Sequence, residues 1–208
     1  MKCNGLFVVF LVFISIGLSN CKSLNSNYSF DAIRKKGKNN SDVIHWDIIT
    51  IGNLSRNRYW GESEERSLHS VICTTTVIRL KHHSIIVDPS LKDSKEMAYE
   101  LKRRTGLSLD DIDVVFVTHE HGDHHAGISN FPNAKWLASP IAAEIINREN
   151  NYIKKVEPAE TKIFDCLDVV PAPGHTPGTS GLRFDYNGLS IFVAGDAVAT
   201  KDFWDDNR

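Results

Sequence analysis

Cysteine is scarce where a covalent framework would need it. Cys3 and Cys21 lie in the first 21 residues, and only Cys73 and Cys166 remain in the body of the chain. No CxxC pair occurs, which excludes a disulfide scaffold or a zinc ribbon; the two body cysteines read as small buried hydrophobes. A basic excess is also lacking. The formal net charge is −2, so there is no broad cationic surface, and nucleic acid is not expected as a partner. No apolar run reaches the roughly 18 residues that mark a membrane-spanning helix. Internal repeats and Pro-rich tracts are absent. Histidine, otherwise plentiful, does not occur after His175. What is present is a hydrophobic content of 41 % over 208 residues, enough for one sizeable domain.

The N-terminus reads as an export signal. Lys2 precedes an apolar stretch, Leu6–Leu18, too short to span a bilayer comfortably and suited to a signal-peptide core. Residues 1–20 are therefore assigned as a signal peptide. Leu18-Ser19-Asn20-Cys21 resembles a bacterial lipobox, with Asn20 departing from the usual small residue; plain cleavage near Cys21 is the alternative. Residues 21–41, rich in Asn, Ser and Lys, read as a polar tether. Asn27, Asn39 and Asn53 head N-glycosylation patterns that matter only in a eukaryotic source. The expected location is exported: periplasmic or membrane-anchored as a lipoprotein in a bacterium, secreted otherwise. Any membrane contact would come through the N-terminal lipid alone.

The domain runs over 42–208. Val43-Ile44 and Ile48–Ile51 read as strand pieces, and Asn53–Ser70 as a loop. Val71–Leu80 and Ser84–Val87 form a hairpin with His82 and His83 as exposed turn residues. Asp93–Arg104 is a helix with Met97 and Leu101 inward, stopped by Gly106. Asp113–Thr118 is a buried strand. Pro140–Asn150 is a second helix capped by Ser139. Val169-Val170, Leu182–Tyr186 and Leu189–Ala194 are strands, the last two joined by the turn pair Asn187-Gly188. Alternation of strands and helices makes the class α/β with some antiparallel pairing.

Against this frame, Thr118–Gly127, THEHGDHHAG, stands out. Four histidines, a glutamate and an aspartate follow directly on a buried strand, at the strand end where α/β folds place their chemistry. Imidazole and carboxylate together suit zinc, iron or manganese. Ligands two residues apart, His119 and His121, can converge on one ion from an irregular loop, while Asp123 and His124 can turn toward a second. Glu120 falls outside the ligand set, and His125 is not expected to coordinate. Two later stretches have the same form of strand followed by ligand-bearing loop: Pro171–Gly181 presents His175, and Phe192–Val198 presents Asp196. The repetition favours one shared site.

The ordered set His119-x-His121-x-Asp123-His124, Gly174-His175 and Gly195-Asp196 resembles the metallo-β-lactamase superfamily. Asp88, after the strand Ile85–Val87, matches that family's early structural aspartate. The resemblance implies an αβ/βα four-layer sandwich, two sheets face to face with helices outside, its C-terminal part here truncated. It implies that His119, His121 and His175 bind a first metal, that Asp123 and His124 bind a second, and that Asp196 bridges them. The implied cofactor is zinc, one or two ions, with iron or manganese as alternatives. The implied reaction is attack by a metal-bound hydroxide on an ester, thioester, lactone, amide or phosphoester in a small-molecule substrate, with Asp123 and Asp196 catalytic.

Two departures from the family pattern bear on this. Relatives carry a further histidine well downstream of the Gly-Asp, which this chain lacks, and the expectation is that the sequence is a fragment or truncated product. Thr179 stands where many relatives have histidine, at a position outside the usual ligand set. Two other readings follow: a mononuclear iron sulfur dioxygenase of the same fold using His119, His175 and Asp196, or a non-catalytic, truncated metal-binding module. Tyr59, Trp60, Phe203 and Trp204 either pack or line a substrate pocket.

Overall fold

The computed structural model describes residues 42–53 and 71–198, with the backbone of Phe7–Val9 and Val12–Ser15. The tether at 21–41, the glycosylation patterns at Asn27 and Asn39, Tyr59, Trp60, Phe203 and Trp204 lie outside the described residues.

Two sheets face each other. The first comprises β3 (Val43–Thr50), β4 (Thr75–Leu80), β5 (Ser84–Val87), β6 (Val114–Val117), β7 (Lys135–Ala138) and β8 (Glu157–Pro158), in that order. β3, β4 and β5 pair antiparallel, while β5 to β8 run parallel. The second contains β9 (Lys162–Ile163), β10 (Leu167–Pro171), β11 (Ser180–Tyr186) and β12 (Leu189–Val193), all antiparallel. On the far side of β12, in the 208-residue chain, run β2 (Val12–Ser15) and then β1 (Phe7–Val9).

The strand period of two divides each buried strand between two cores. In β6, Val115 and Val117 face the helices, whereas Val114 and Phe116 face the second sheet. In β5, Ile86 joins the helix side and Ile85 and Val87 the inter-sheet side. Leu167, Leu182, Phe184, Ile191 and Val193 close the inter-sheet core from the second sheet. On the outer side of the first sheet pack Met97 and Leu101 of α1 (Ser94–Thr105) and Ala142, Ala143 and Ile146 of α2 (Pro140–Glu149). Helix, sheet and sheet are thus three successive layers among the described residues. No helix among the described residues is long and apolar enough to cross a membrane.

Local chemistry sets the element ends. Asp93 caps α1 by accepting from Glu96 N at 2.9 Å, and Gly106 ends it in a left-handed conformation. Ser139 caps α2 and donates to Gly178 O at 2.6 Å, which ties that helix to the loop carrying His175. Asn187 and Gly188 both take positive φ, 50° and 77°, as a two-residue hairpin turn requires.

Some boundaries move relative to the sequence reading. The two pieces expected within 43–51 are one strand, Val43–Thr50, because irregular register at Val43/His45 and Ile48/Thr50 absorbs the break in alternation. The strand expected from Val71 begins at Thr75. β7 goes unread because Lys135–Ala138 is short and follows Pro132 and Asn133. His82 and His83 are exposed at the turn, and His83 also stacks on Phe164 with ring centroids 4.0 Å apart.

Candidate metal centre

The ends of five segments meet at one edge of the sandwich. Asp88 follows β5, Thr118 and the histidine loop follow β6, and Ser139 follows β7. From the second sheet, His175 follows β10 and Asp196 follows β12. Ser180 N donates to Thr118 O at 2.9 Å, joining the sheets at this edge.

All six residues singled out as ligands come together here. His121 Nδ1 lies 3.1 Å from His119 Nε2 and 3.0 Å from His175 Nε2. His124 Nε2 lies 3.4 Å from Asp196 Oδ1 and 3.7 Å from Asp123 Oδ2. The other Asp196 oxygen, Oδ2, is 3.5 Å from His175 Nε2. One carboxylate therefore reaches both the His119/His121/His175 cluster and the His124 cluster.

This donor set suits cations. Three imidazole nitrogens converge in the first cluster, and nitrogens held so closely need a shared proton or a cation between their lone pairs. In the second, His124 Nε2 is buried and makes no hydrogen bond, although Asp196 stands within ion-pair range. A buried polar atom left in this way calls for a partner. His119, His124 and Asp196 form a second group close enough to hold an ion.

Residues behind the histidines fix their tautomers. Asp88, 1 % exposed, accepts from Thr118 N and Thr118 Oγ1, each at 2.7 Å, and from His124 Nδ1 at 2.9 Å. With its single proton given to Asp88, the Thr118 hydroxyl can accept from His119 Nδ1, 3.2 Å away. Both rings then turn Nε2 into the site, the arrangement in which a histidine's second nitrogen is held by a polar partner. Cys73 is buried beneath, its thiol reaching Asp88 O and Asp123 O at 3.4 Å each. Burial pushes that thiol up to about 12, which keeps it protonated and a donor.

Electrostatics separate two adjacent imidazoles. Burial, with the nearby charge of His124, takes His119 down to about 3, so its ring is neutral at pH 7 and has a lone pair to give. Burial pulls His124 the same way, but the Asp88 carboxylate and Asp196 outweigh it and raise His124 above its usual range. Burial would raise Asp196; the neighbouring His124 lowers it instead.

The backbone approach at Asp196 is close. Gly195 takes φ +55°, and a Cβ there would sit 2.3 Å from Thr118 Oγ1, so no larger residue could lie against the β6 end. His125 is occupied elsewhere, with Nδ1 2.7 Å from Tyr152 Oη and Nε2 3.1 Å from Glu120 O. The roles of Thr118 and of Thr176, whose Oγ1 donates to Glu120 Oε2 at 2.9 Å, were missed by sequence reasoning. Both stood inside the quoted motifs, but a lone threonine in a loop carries no spacing signal.

Comparison with known proteins agrees with this geometry. The chain is 34 % identical over 119 residues to a probable metallo-hydrolase of Methanocaldococcus jannaschii, an alignment covering 57 % of this chain and 53 % of the relative. It is 27 % identical over 126 residues to a hydroxyacylglutathione hydrolase of Aeromonas salmonicida, covering 59 % and 45 % respectively. The chain thus spans about half the length of the curated relatives it matches. In fold it is similar to the crystal structure of a probable metal-dependent hydrolase from Staphylococcus aureus, with a TM-score of 0.57, 16 % identity, and coverage of 76 % of this chain and 73 % of that one. The family model for the metallo-beta-lactamase superfamily matches residues 70–208, a span that takes in every residue of the metal centre, and the chain belongs to that superfamily.

Proposed function

We propose that the chain carries the metal centre of a hydrolase that cleaves a small-molecule ester bond, with a thioester as the leading substrate class. The observation that carries this reading is the Asp196 carboxylate, one oxygen toward His175 and the other toward His124. His119, His121 and His175 would hold a first ion, and Asp123, His124 and Asp196 a second, with zinc as the metal that best suits this mixture of imidazole and carboxylate. Such ions, when bound, lower the pKa of coordinated water toward neutrality and polarise the oxygen of the bond under attack. The protein's part is to orient and to move protons. Asp88 and Thr118 hold the buried rings in one tautomer. Asp123, with a quarter of its side chain exposed, stands on the solvent side and would take the proton released on attack and pass it to the leaving group. His121 and His175 are exposed, leaving the centre open to substrate. The resemblance to a hydroxyacylglutathione hydrolase favours a thioester over the lactone, amide and phosphoester alternatives.

The test is a metal titration combined with a substrate panel. Zinc should bind at about two ions per chain, and turnover of a hydroxyacylglutathione thioester should stop on chelation and return with zinc. His121→Ala should lose most of the first ion, because it removes one of three ligands. Full metal content in that variant would overturn the ligand assignment, and one iron per chain with sulfur oxidation would overturn the hydrolase.

Export belongs to the same proposal. The N-terminal charge and apolar run support a mature protein that starts near Cys21. Mass spectrometry of the native N-terminus should find Cys21, lipidated or free. An intact Met1 would sink this part.

A further inference from the structure

We propose that Glu120 is a positioning residue that clamps the loop of His119 and His121 to the loop of His175, holding the three imidazoles converged before an ion arrives. The proposal rests on the reading of those histidines as ligands. Glu120 lies between His119 and His121 in sequence, yet its Oε2 accepts from the hydroxyl of Thr176, the residue after His175, at 2.9 Å. A carboxylate of one ligand loop is thus bonded to the other ligand loop.

Proton accounting gives the network a single direction. Thr176 Oγ1 has one proton, and Glu120 takes it. Thr179 Oγ1, 3.0 Å from Thr176 Oγ1, must then be the donor of that pair, while it accepts from Thr176 N at 3.0 Å. The chain runs from Thr179 to Thr176 to Glu120 and ends on an acceptor-only group, where hydroxyl-to-carboxylate bonds are strongest. Thr176 and Thr179 are both buried, so these hydroxyls have little water to turn to. The Glu120 backbone is held from the other side: its carbonyl accepts from His125 Nε2, and His125 Nδ1 then accepts from Tyr152 Oη. Glu120 is fixed at both ends, backbone toward Tyr152 and side chain toward Thr176.

The consequence falls on His121 and His175. His119 is fully buried and held by its surroundings, but these two are exposed. Without the clamp, each would have to be ordered by the ion itself, and that ordering cost would appear as weaker binding. Thr179 takes part because its short hydroxyl fits between Thr176 N and Thr176 Oγ1.

The experiment is zinc competition against a chelator on the 208-residue chain, with the apo thermal midpoint measured alongside. Glu120→Ala and Thr176→Val should each weaken the first zinc by about tenfold or more, the scale of losing a supporting group behind a metal ligand. Glu120→Gln and Thr176→Ser, which keep the acceptor and the hydroxyl, should stay close to wild type. The double variant Glu120→Ala/Thr176→Val should be no weaker than Thr176→Val alone, since Thr176→Val already removes the Glu120 bond together with the one from Thr179. A merely structural role would lower the apo midpoint in proportion and give no rescue by the conservative variants. Unchanged zinc affinity in Glu120→Ala, a Glu120→Gln as weak as Glu120→Ala, or additive losses would each overturn the clamp while leaving the metal centre standing. A wild-type chain that takes up no zinc would overturn both.

Discussion

Asp196→Asn should lower turnover by at least about a hundredfold, the scale of removing one main electrostatic contact from a catalytic site. The substitution keeps the shape and removes the charge. Asp196 Oδ1 stands 3.4 Å from His124 Nε2 and Oδ2 3.5 Å from His175 Nε2, so one residue serves both halves of the centre. An amide offers only one oxygen, and the NH2 it presents to the other half has no lone pair for a cation. The second ion should leave first, because its site has His124 as its one imidazole. Zinc stoichiometry should fall toward one per chain while the His119, His121 and His175 cluster keeps its ion. Asp165→Asn is the control: Asp165 lies in the turn between β9 and β10, takes φ 57°, and asparagine tolerates that conformation. Equal turnover in Asp196→Asn and wild type would remove Asp196 from the mechanism.

Asp88 should be the most sensitive position for stability. Its carboxylate is buried and accepts three hydrogen bonds, from Thr118 N, Thr118 Oγ1 and His124 Nδ1. Asp88→Ala strands those donors and leaves His124 without its counter-charge, at a cost of about 3–5 kcal/mol. For a domain of this size that is a fall in Tm of roughly 10 °C. φ at Asp88 is 51°, so alanine also strains the backbone. Asp88→Asn separates the effects. Asparagine accepts the positive φ, and its oxygen must face Thr118 N, which can only donate. Its NH2 then faces Thr118 Oγ1 and His124 Nδ1. A neutral His124 would carry its proton on Nε2, the nitrogen that faces Asp196. Asp88→Asn should therefore be milder than Asp88→Ala in thermal melts yet lose the second ion. A variant that melts like wild type and binds two zinc ions would show that Asp88 does not set the tautomer.

The ligand candidates were legible because their signal is local. Four of the six sit within His119–His124, and the spacing survives whatever the rest of the chain does. The two helices were legible for the same reason: Asp93 and Ser139 cap their own backbone within three residues, at Glu96 N and Ala142 N. The strand at 114–117 shows as an uninterrupted apolar run, and that at 189–193 as a run broken only by Ser190, because both their faces are covered. β7 did not show, since four residues beginning with an exposed lysine carry too little pattern and owe their strand state to parallel pairing with β6.

By itself, the sequence determined which residue types stand at strand ends and in what order. It could not say that Thr118, ordinary in composition, would be the group through which Asp88 reaches the His119 ring, or that Glu120 would bond to Thr176, 56 residues away. The first contact follows from the parallel pairing of β5 with β6; the second exists because two sheets pack face to face and bring the ends of β6, β10 and β12 to one edge. A hydrogen bond between distant residues leaves no periodicity, and a carboxylate or hydroxyl in a loop reads alike whether it meets water or a buried partner. Only the packing of Val114 and Phe116 against Leu182, Ile191 and Val193 sets the distance across which Asp196 meets both halves of the centre.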